Sequence, residues 1–156
     1  MSTFKCLSIS QPFADLIIKG QKIIELRHWN TRYRGEFLIH APLKIKFADC
    51  KRLGIDRKNL AVGLILGKAK IYDVKRYQTK EQFLIDKKYH FAPDNYFTDN
   101  TFGFLLKNAK EFKIPIPAKG KLGFFNIDLK GSMIQDSDIT TEIFDEEYRT
   151  QWINHH

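Results

Sequence analysis

The amino-acid sequence predicts an α+β fold, a small mixed β-barrel with short flanking helices. Segments rich in apolar and β-branched residues recur along the chain, and short helical patterns separate some of them. They do not alternate with helices in the regular way that indicates a parallel sheet. A length of 156 residues, with 43% hydrophobic residues and 13 phenylalanines, suits one folded domain.

The first three elements are predicted from apolar patterns and turn residues. The apolar, β-prone residues 4–9 indicate a strand. A helix is expected after Ser10, which has the side chain of an N-cap, and Gly20 is expected to end this helix in the left-handed conformation. Residues 22–27 are too few and too β-branched for another helix, so they predict a strand that returns beside the first.

The middle of the chain predicts two further strands around a short helix. Residues 35–41 indicate a strand, and the basic segment 44–55 indicates a helix. The long apolar segment 59–77 contains glycines, which predict a strand that bends or bulges at Gly63 or Gly67, as barrel strands do.

The elements that follow are a helix, a loop and two late strands. Residues 80–89 predict the helix, and residues 90–100 predict a polar, aromatic loop. Strands are expected at 101–112 and 121–129. The prolines within 114–121 are expected to keep the connection between these strands extended.

Charge is unevenly distributed along the chain. The formal net charge is +8, yet residues 133–156 contain six acidic residues against Arg149 alone. A basic body with an acidic tail indicates a polyanionic partner such as nucleic acid, or else a well-solvated surface. Residues 1–132 are predicted to form the barrel domain, and 133–156 an acidic extension whose amphipathic helix, 138–154, packs on it.

Several classes of site and location are excluded by the sequence. Cys6 and Cys50 are far apart and lack a C-x-x-C partner, so neither a disulfide framework nor a metal site is expected, and no cofactor motif is present. His40 lies within a predicted strand and is expected to be a satisfied core residue. The sequence lacks a leader pattern or an apolar segment of membrane-spanning length, which predicts a cytoplasmic protein without membrane association; its oligomeric state is left open.

Polar side chains are most concentrated in residues 20–35, "GQKIIELRHWNTRYRG". Side chains alternate faces along a strand, so Glu25 and Arg27 are expected on one face. Lys22 has an odd offset from Glu25 and joins them only if it lies in the turn before the strand. Such a group binds a phosphate or a polar base edge, or else it is a structural ion pair in the barrel wall.

The second half of this segment predicts a basic, aromatic rim. Trp29 and Tyr33 are candidates for stacking on RNA bases, and Arg32 and Arg34 are candidates for phosphate contacts. The alternative for each ring is that it plugs the end of the barrel.

The sequence "GQKIIELR" fits the pattern G-x-K-x-x-E-x-R and resembles the ASCH domain family. The similarity extends over roughly residues 5–128, through the first strand and helix and the later core strands. The resemblance implies a PUA-like β-barrel and a link to RNA. It also implies that Lys22, Glu25 and Arg27 line the family's cleft, so RNA, a nucleotide or a modified nucleoside is the expected partner.

The resemblance also implies an alternative function, hydrolysis. Some ASCH-like proteins remove the acetyl group of acetylcytidine with a lysine and a threonine of this motif and a glutamate from a later strand, and others are described as ribonucleases. Lys22 matches the lysine, whereas Glu25 occupies the position of the threonine nucleophile. Asp73 is the nearest acidic residue on a later predicted strand. The candidate catalytic residues are therefore Lys22, Glu25 and Asp73.

Overall fold

The computed structural model of the chain describes residues 2–130. The predicted acidic extension, 133–156, with its helix and its packing on the domain, lies outside the described residues, as does the predicted boundary at residue 132. No helix in the described part is long and apolar enough to cross a membrane.

One mixed sheet and short helices make up residues 2–130. The six strands are β1 (Ser2–Ser8), β2 (Ile24–Arg27), β3 (Gly35–Ala41), β4 (Leu64–Tyr77), β5 (Thr101–Pro117) and β6 (Phe124–Leu129). The helices are α1 (Phe13–Ile18), α2 (Phe47–Leu53), α3 (Lys80–Ile85) and α4 (Lys87–His90), with 3-10 turns at Arg57–Asn59 and Asp94–Tyr96.

The strand order in the sheet is β2-β5-β4-β3-β1-β6. β1 and β3 are parallel, and the other neighbours are antiparallel. The α+β prediction is confirmed. The closed barrel is not confirmed, because β2 and β6 are the two ends of the described sheet. The predicted pairing of β2 beside β1 was wrong, since β2 pairs with β5.

Two predicted features of the long strands can be compared with the structure. The register of β4 against β5 shifts between Ile65 and Gly67, as the prediction of a bulge near Gly67 required. The predicted connection after residue 112 is instead a continuation of β5 to Pro117. Prolines are tolerated there because β2 pairs with β5 only as far as Leu105, so within residues 2–130 one side of the later part of β5 has no neighbouring strand.

The first helix differs from its prediction at one end. Pro12, rather than Ser10, is the N-cap of α1, and the side chain of the preceding Gln11 accepts a hydrogen bond through Oε1 from the backbone N–H of Asp15 at 2.9 Å. Gly20 has φ of 78° and follows the helix in the left-handed conformation that the sequence predicted. Buried residues of α1 pack against the sheet with Phe37 and Phe104, which fixes the turn that leads into β2.

Candidate functional site

Lys22 lies in the turn between α1 and β2. The left-handed Gly20 lets the chain reverse, and the backbone N–H of Lys22 then donates to Leu16 O at 3.0 Å. β2 begins at Ile24, so Lys22 stands outside the strand. This placement brings Lys22 to the same side as Glu25, as the alternation of side chains along β2 requires.

The ammonium group of Lys22 is fully engaged by protein acceptors. The side chain is 3% exposed, and Nζ donates to the carbonyl oxygens of Ile24 and His90, each at 2.6 Å. Glu25 Oε1 lies 3.4 Å from the same nitrogen. Burial lowers the pKa of Lys22 to about 8, and the charge of Glu25 opposes part of that shift.

Glu25 is a buried carboxylate between two cations. Its Oε2 accepts a hydrogen bond from Arg27 Nε at 3.0 Å, and Arg27 Nη2 lies 2.9 Å from the same oxygen. Burial alone would raise the pKa of Glu25, but the charges of Arg27 and Lys22 outweigh it and lower the pKa. Glu25 is therefore ionised at neutral pH and holds Arg27 in position.

Arg27 connects this ion-pair cluster to the end of β1. Its Nη2 donates to Ser8 O at 2.8 Å, while its Nη1 makes no hydrogen bond within residues 2–130. The guanidinium also lies over Trp29, 5.8 Å from the ring centroid. Arg27 thus presents a cation whose orientation is fixed and whose Nη1 retains hydrogen-bonding capacity for a ligand.

A small cavity of about 240 Å³ adjoins the cluster, and we call it the motif cavity. Lys22, Glu25, Arg27, Lys46, His90 and Tyr96 are among the residues that line it. His90 Nδ1 accepts from Ala92 N at 3.0 Å, and burial lowers its pKa to about 4, so the ring is neutral. The positive charges that line the motif cavity therefore come from Lys22 and Arg27 of the cluster and from the exposed Lys46.

A larger cavity of about 890 Å³, which we call the large cavity, lies beside the motif cavity. The two share three lining residues, Ser8, Ser10 and Arg27. The large cavity is also bounded by the loop 118–123, which carries the exposed Lys119 and Lys121. Apolar side chains complete the lining, namely Pro42, Leu43 and Leu122. Leu43 and Leu122 are 78% and 99% exposed, so their apolar surfaces are accessible to a ligand.

Ser8 and His40 face each other within the large cavity. Ser8 Oγ and His40 Nδ1 are 2.9 Å apart, and His40 Nε2 lies 2.8 Å from Ala118 O. Because a carbonyl oxygen only accepts, Nε2 is the protonated nitrogen of the tautomer that fits these contacts, and in that tautomer Nδ1 accepts from the Ser8 hydroxyl. His40 is 2% exposed, so the prediction of a satisfied, buried histidine agrees with these contacts.

The predicted aromatic rim is partly built into the core. Trp29 makes edge contacts with Phe104 and Phe124, at 5.3 and 6.0 Å between ring centroids. The hydroxyl of Tyr33 donates to the carbonyl oxygen of Glu36, and its ring packs against Phe124. These contacts agree with the alternative in which the rings support the fold.

The two arginines of the predicted rim are exposed. Arg34 Nη2 lies 3.6 Å from Asp73 Oδ1, and its Nη1 donates to two carbonyl oxygens of its own loop. Asp73 is therefore a surface partner of Arg34, with a side chain 64% exposed, and it lines neither cavity. The structure brings Lys22, Glu25 and Arg27 together but leaves Asp73 apart.

Comparisons with known proteins identify the family of this chain. The sequence matches the ASCH domain family over residues 7–116. The chain belongs to the ASCH domain family. This ASCH chain is 30% identical over 139 residues to human (Homo sapiens) activating signal cointegrator 1, and the alignment covers 80% of the chain and 22% of that relative. The mouse (Mus musculus) protein of the same name is 29% identical, with the same coverage. The chain therefore spans only 22% of the length of these curated relatives.

Solved structures of ASCH proteins share the fold. ASCH from Zymomonas mobilis superposes with a TM-score of 0.57 at 15% identity, and the match covers 84% of this ASCH chain and 90% of that one. A mutant of the Zymomonas protein gives a TM-score of 0.56 at 16% identity, over 85% and 92% of the two chains. The sequence-based recognition of the family is confirmed.

The sequence interpretation missed residues that line the large cavity of this ASCH domain. Ser8 lies within the predicted strand 4–9, and Lys119 and Lys121 lie in a segment that was expected only to connect strands. Two lysines on either side of Gly120 were the available signal. The loop 118–123 lies beyond the residues that match the family. Within residues 2–130, no group of three histidine, cysteine, aspartate or glutamate side chains is placed to hold a metal ion.

Proposed function

We propose that this ASCH domain binds RNA or a nucleotide in the large cavity. The observation that carries the proposal is the combination of an oriented Arg27 on the cavity wall with Lys119 and Lys121 on its rim. A volume of about 890 Å³ lies in the range of small-molecule and cofactor sites, about 300–1,000 Å³.

The lining supports different parts of a nucleotide. The ammonium groups of Lys119 and Lys121 suit phosphate oxygens, and the planar guanidinium of Arg27 suits a phosphate or a base edge. Pro42, Leu43 and Leu122 offer apolar surface for a base. Ser8 and Ser10 are hydrogen-bonding partners for the hydroxyl groups of the ribose or the polar edge of the base.

A longer RNA has a basic path that leaves the cavity past residues 28–34. A Cβ placed on Gly123 would lie 4.0 Å from the Trp29 ring, so the loop 118–123 and the segment 28–34 are neighbours. Arg32 and Arg34 are exposed on that segment and extend the positive charge. Trp29 and Tyr33 hold this path in place through their core contacts.

Binding of a fluorescent single-stranded RNA hexamer, measured by anisotropy over a salt series, tests the proposal. Affinity is expected to fall linearly with log salt concentration, since phosphate contacts release counterions. Lys119→Ala and Lys121→Ala are each expected to weaken binding and to lower the magnitude of the salt slope by about one. Lys80→Ala, at the start of α3, is the control and should bind as the wild type does. Equal binding by all four proteins would refute the proposed location.

Hydrolysis of RNA or of a modified nucleoside by Lys22 and Glu25 is the second candidate function. It is favoured by the pKa of Lys22, about 8, because an amine that titrates near neutral pH transfers protons readily. It ranks second because Ile24 O, His90 O and Glu25 already engage the ammonium group. Turnover of acylated nucleosides or short RNA that stops in a folded Lys22→Met variant would support hydrolysis. Absence of turnover would leave binding as the function of the motif.

A further inference from the structure

We propose that Ser8 and His40 form a nucleophile and general-base pair that cleaves short-chain carboxylic esters in the large cavity. This inference goes beyond nucleotide binding and does not depend on it. It rests on the distance between the two side chains, on the contact that orients the histidine, and on the cation beside them.

The arrangement contains the groups that activate a serine, namely a base and an acceptor that orients the base. Ser8 Oγ lies 2.9 Å from His40 Nδ1, which is within the range expected for a nucleophile and its base. Ala118 O accepts from His40 Nε2 at 2.8 Å and orients the ring, the role that a carboxylate has in other serine hydrolases. Both side chains line a cavity that is large enough for a small ester.

Arg27 supplies the positive charge that the reaction needs. Its Nη2 donates to the backbone carbonyl oxygen of Ser8, so the guanidinium lies beside the residue that carries the nucleophile. Its Nη1 makes no hydrogen bond within the described part of the chain, which leaves two N–H donors for an ester oxygen. Glu25 holds the guanidinium from the other side, so the donor is positioned before the substrate binds.

The absence of a side chain at Gly120 leaves room for Ser8 and His40 beneath the loop 118–123. A Cβ at this position would lie 2.3 Å from Ser8 Oγ and 2.7 Å from His40 Nδ1, so it would occupy the space beside the reacting atoms. Gly120 belongs to the exposed loop 118–123. A glycine is therefore required where the loop passes over Ser8 and His40.

The reaction proceeds in two balanced steps. Ser8 Oγ attacks the acyl carbon while His40 Nδ1 takes the hydroxyl proton, and Arg27 binds the oxyanion. The ester C–O bond then breaks, and the alcohol leaves with the proton from His40. A water molecule attacks the acyl-serine as His40 takes its proton. The carboxylic acid is released, and the proton on His40 returns to Ser8 Oγ.

Labelling with a fluorophosphonate, followed by peptide mass spectrometry, tests this inference on the whole chain. The reagent should modify Ser8 of the wild-type protein, and 4-nitrophenyl acetate should be turned over catalytically. Labelling and turnover should be lost in Ser8→Ala and should be at least tenfold slower in His40→Asn. Ser2→Ala is the matched control, because Ser2 lies on the same strand as Ser8 but lines neither cavity, and it should react as the wild type does.

A second variant keeps the test decisive if His40→Asn fails to fold. Gly120→Ala changes only an exposed loop and should slow labelling at least tenfold, because its methyl group blocks Ser8 Oγ. Circular dichroism and urea unfolding should show that this variant is folded. An unmodified Ser8 in the wild-type protein would overturn the inference. Equal labelling rates in the wild type and in a folded His40→Asn or Gly120→Ala variant would also overturn it.

Discussion

Arg27 Nε donates a hydrogen bond to Glu25 Oε2 at 3.0 Å, and the two side chains share one face of β2. The same carboxylate lies 3.4 Å from Lys22 Nζ through its other oxygen. Glu25 therefore pairs with two cations, one buried and one facing the cavities. The same carboxylate therefore stabilises the turn before β2, through Lys22, and orients Arg27, which we place in the ligand site.

Glu25→Gln should destabilise the protein by roughly 3–5 kcal/mol, since it removes the buried carboxylate that pairs with both Lys22 and Arg27. Urea unfolding at pH 7 measures this change. Glu111→Gln is the matched control, because Glu111 forms an exposed ion pair with Lys19 at 2.9 Å. The control should lose no more than about 1 kcal/mol. Equal losses in the two variants would show that burial of the cluster contributes nothing to stability.

The pH dependence of stability should report on His90. Burial lowers the pKa of His90 from 6.5 to about 4. Between these pH values the unfolded chain binds a proton that the folded chain does not, so stability falls as pH decreases through this window. The expected contribution is at most about 3 kcal/mol.

Urea unfolding of the wild type and His90→Gln at pH 7 and pH 4.5 isolates that contribution. The difference in stability between the two pH values should be smaller in His90→Gln. His28→Gln changes an exposed histidine and should keep the wild-type dependence. The same loss of stability in all three proteins would assign the pH dependence to other groups.

Gly67→Ala should cost at least about 2 kcal/mol, because its Cβ would lie 2.2 Å from the backbone oxygen of Lys110 and 3.0 Å from Ile18. Gly54→Ala is the control. Gly54 has φ of +67° and nothing within 4 Å of an added Cβ. Gly54→Ala should therefore lower the free energy of unfolding by only about 1 kcal/mol, the cost of the left-handed backbone conformation for alanine. Thermal or urea unfolding compares them. If Gly67→Ala is no less stable than Gly54→Ala, the close approach of β4 and β5 is wrong.

Arg32→Ala and Arg34→Ala should each weaken RNA binding and lower the magnitude of the salt slope by about one, provided the RNA follows the segment 28–34. Anisotropy with the RNA hexamer and with a mononucleotide separates the cavity from this path. The mononucleotide should bind these variants as it binds the wild type. Arg76→Ala, on β4, is the control for loss of one exposed arginine. An unchanged salt slope in both rim variants would place the RNA elsewhere.

Local rules predicted the motif well. The left-handed Gly20 and the alternation along β2 were enough to place Lys22 in the turn and to put Glu25 and Arg27 on one face. Both depend on residues that are close in sequence. The α+β class also followed from local apolar patterns, because the spacing of apolar residues indicates which face of a helix or strand is buried.

Contacts between distant segments were beyond these rules. Asp73 was chosen as an acid on a later strand, but a register shift between Ile71 and Asp73 turns its side chain to the surface. Ser8 meets His40 only because β1 pairs with β3, and the loop 118–123 reaches both through the antiparallel pairing of β6 with β1. Strand pairing of this kind leaves no periodic pattern in the sequence.

The most direct measurement of the central claim is an NMR titration of ¹⁵N-labelled protein with adenosine monophosphate, followed by the RNA hexamer. We expect the largest amide shifts in β1 at Ser8, at Arg27, and in the loop 118–123. Gly54, after α2, should shift little with either ligand. Shifts that are absent, or that fall mainly on α3 and α4, would contradict the claim that the large cavity is the ligand site.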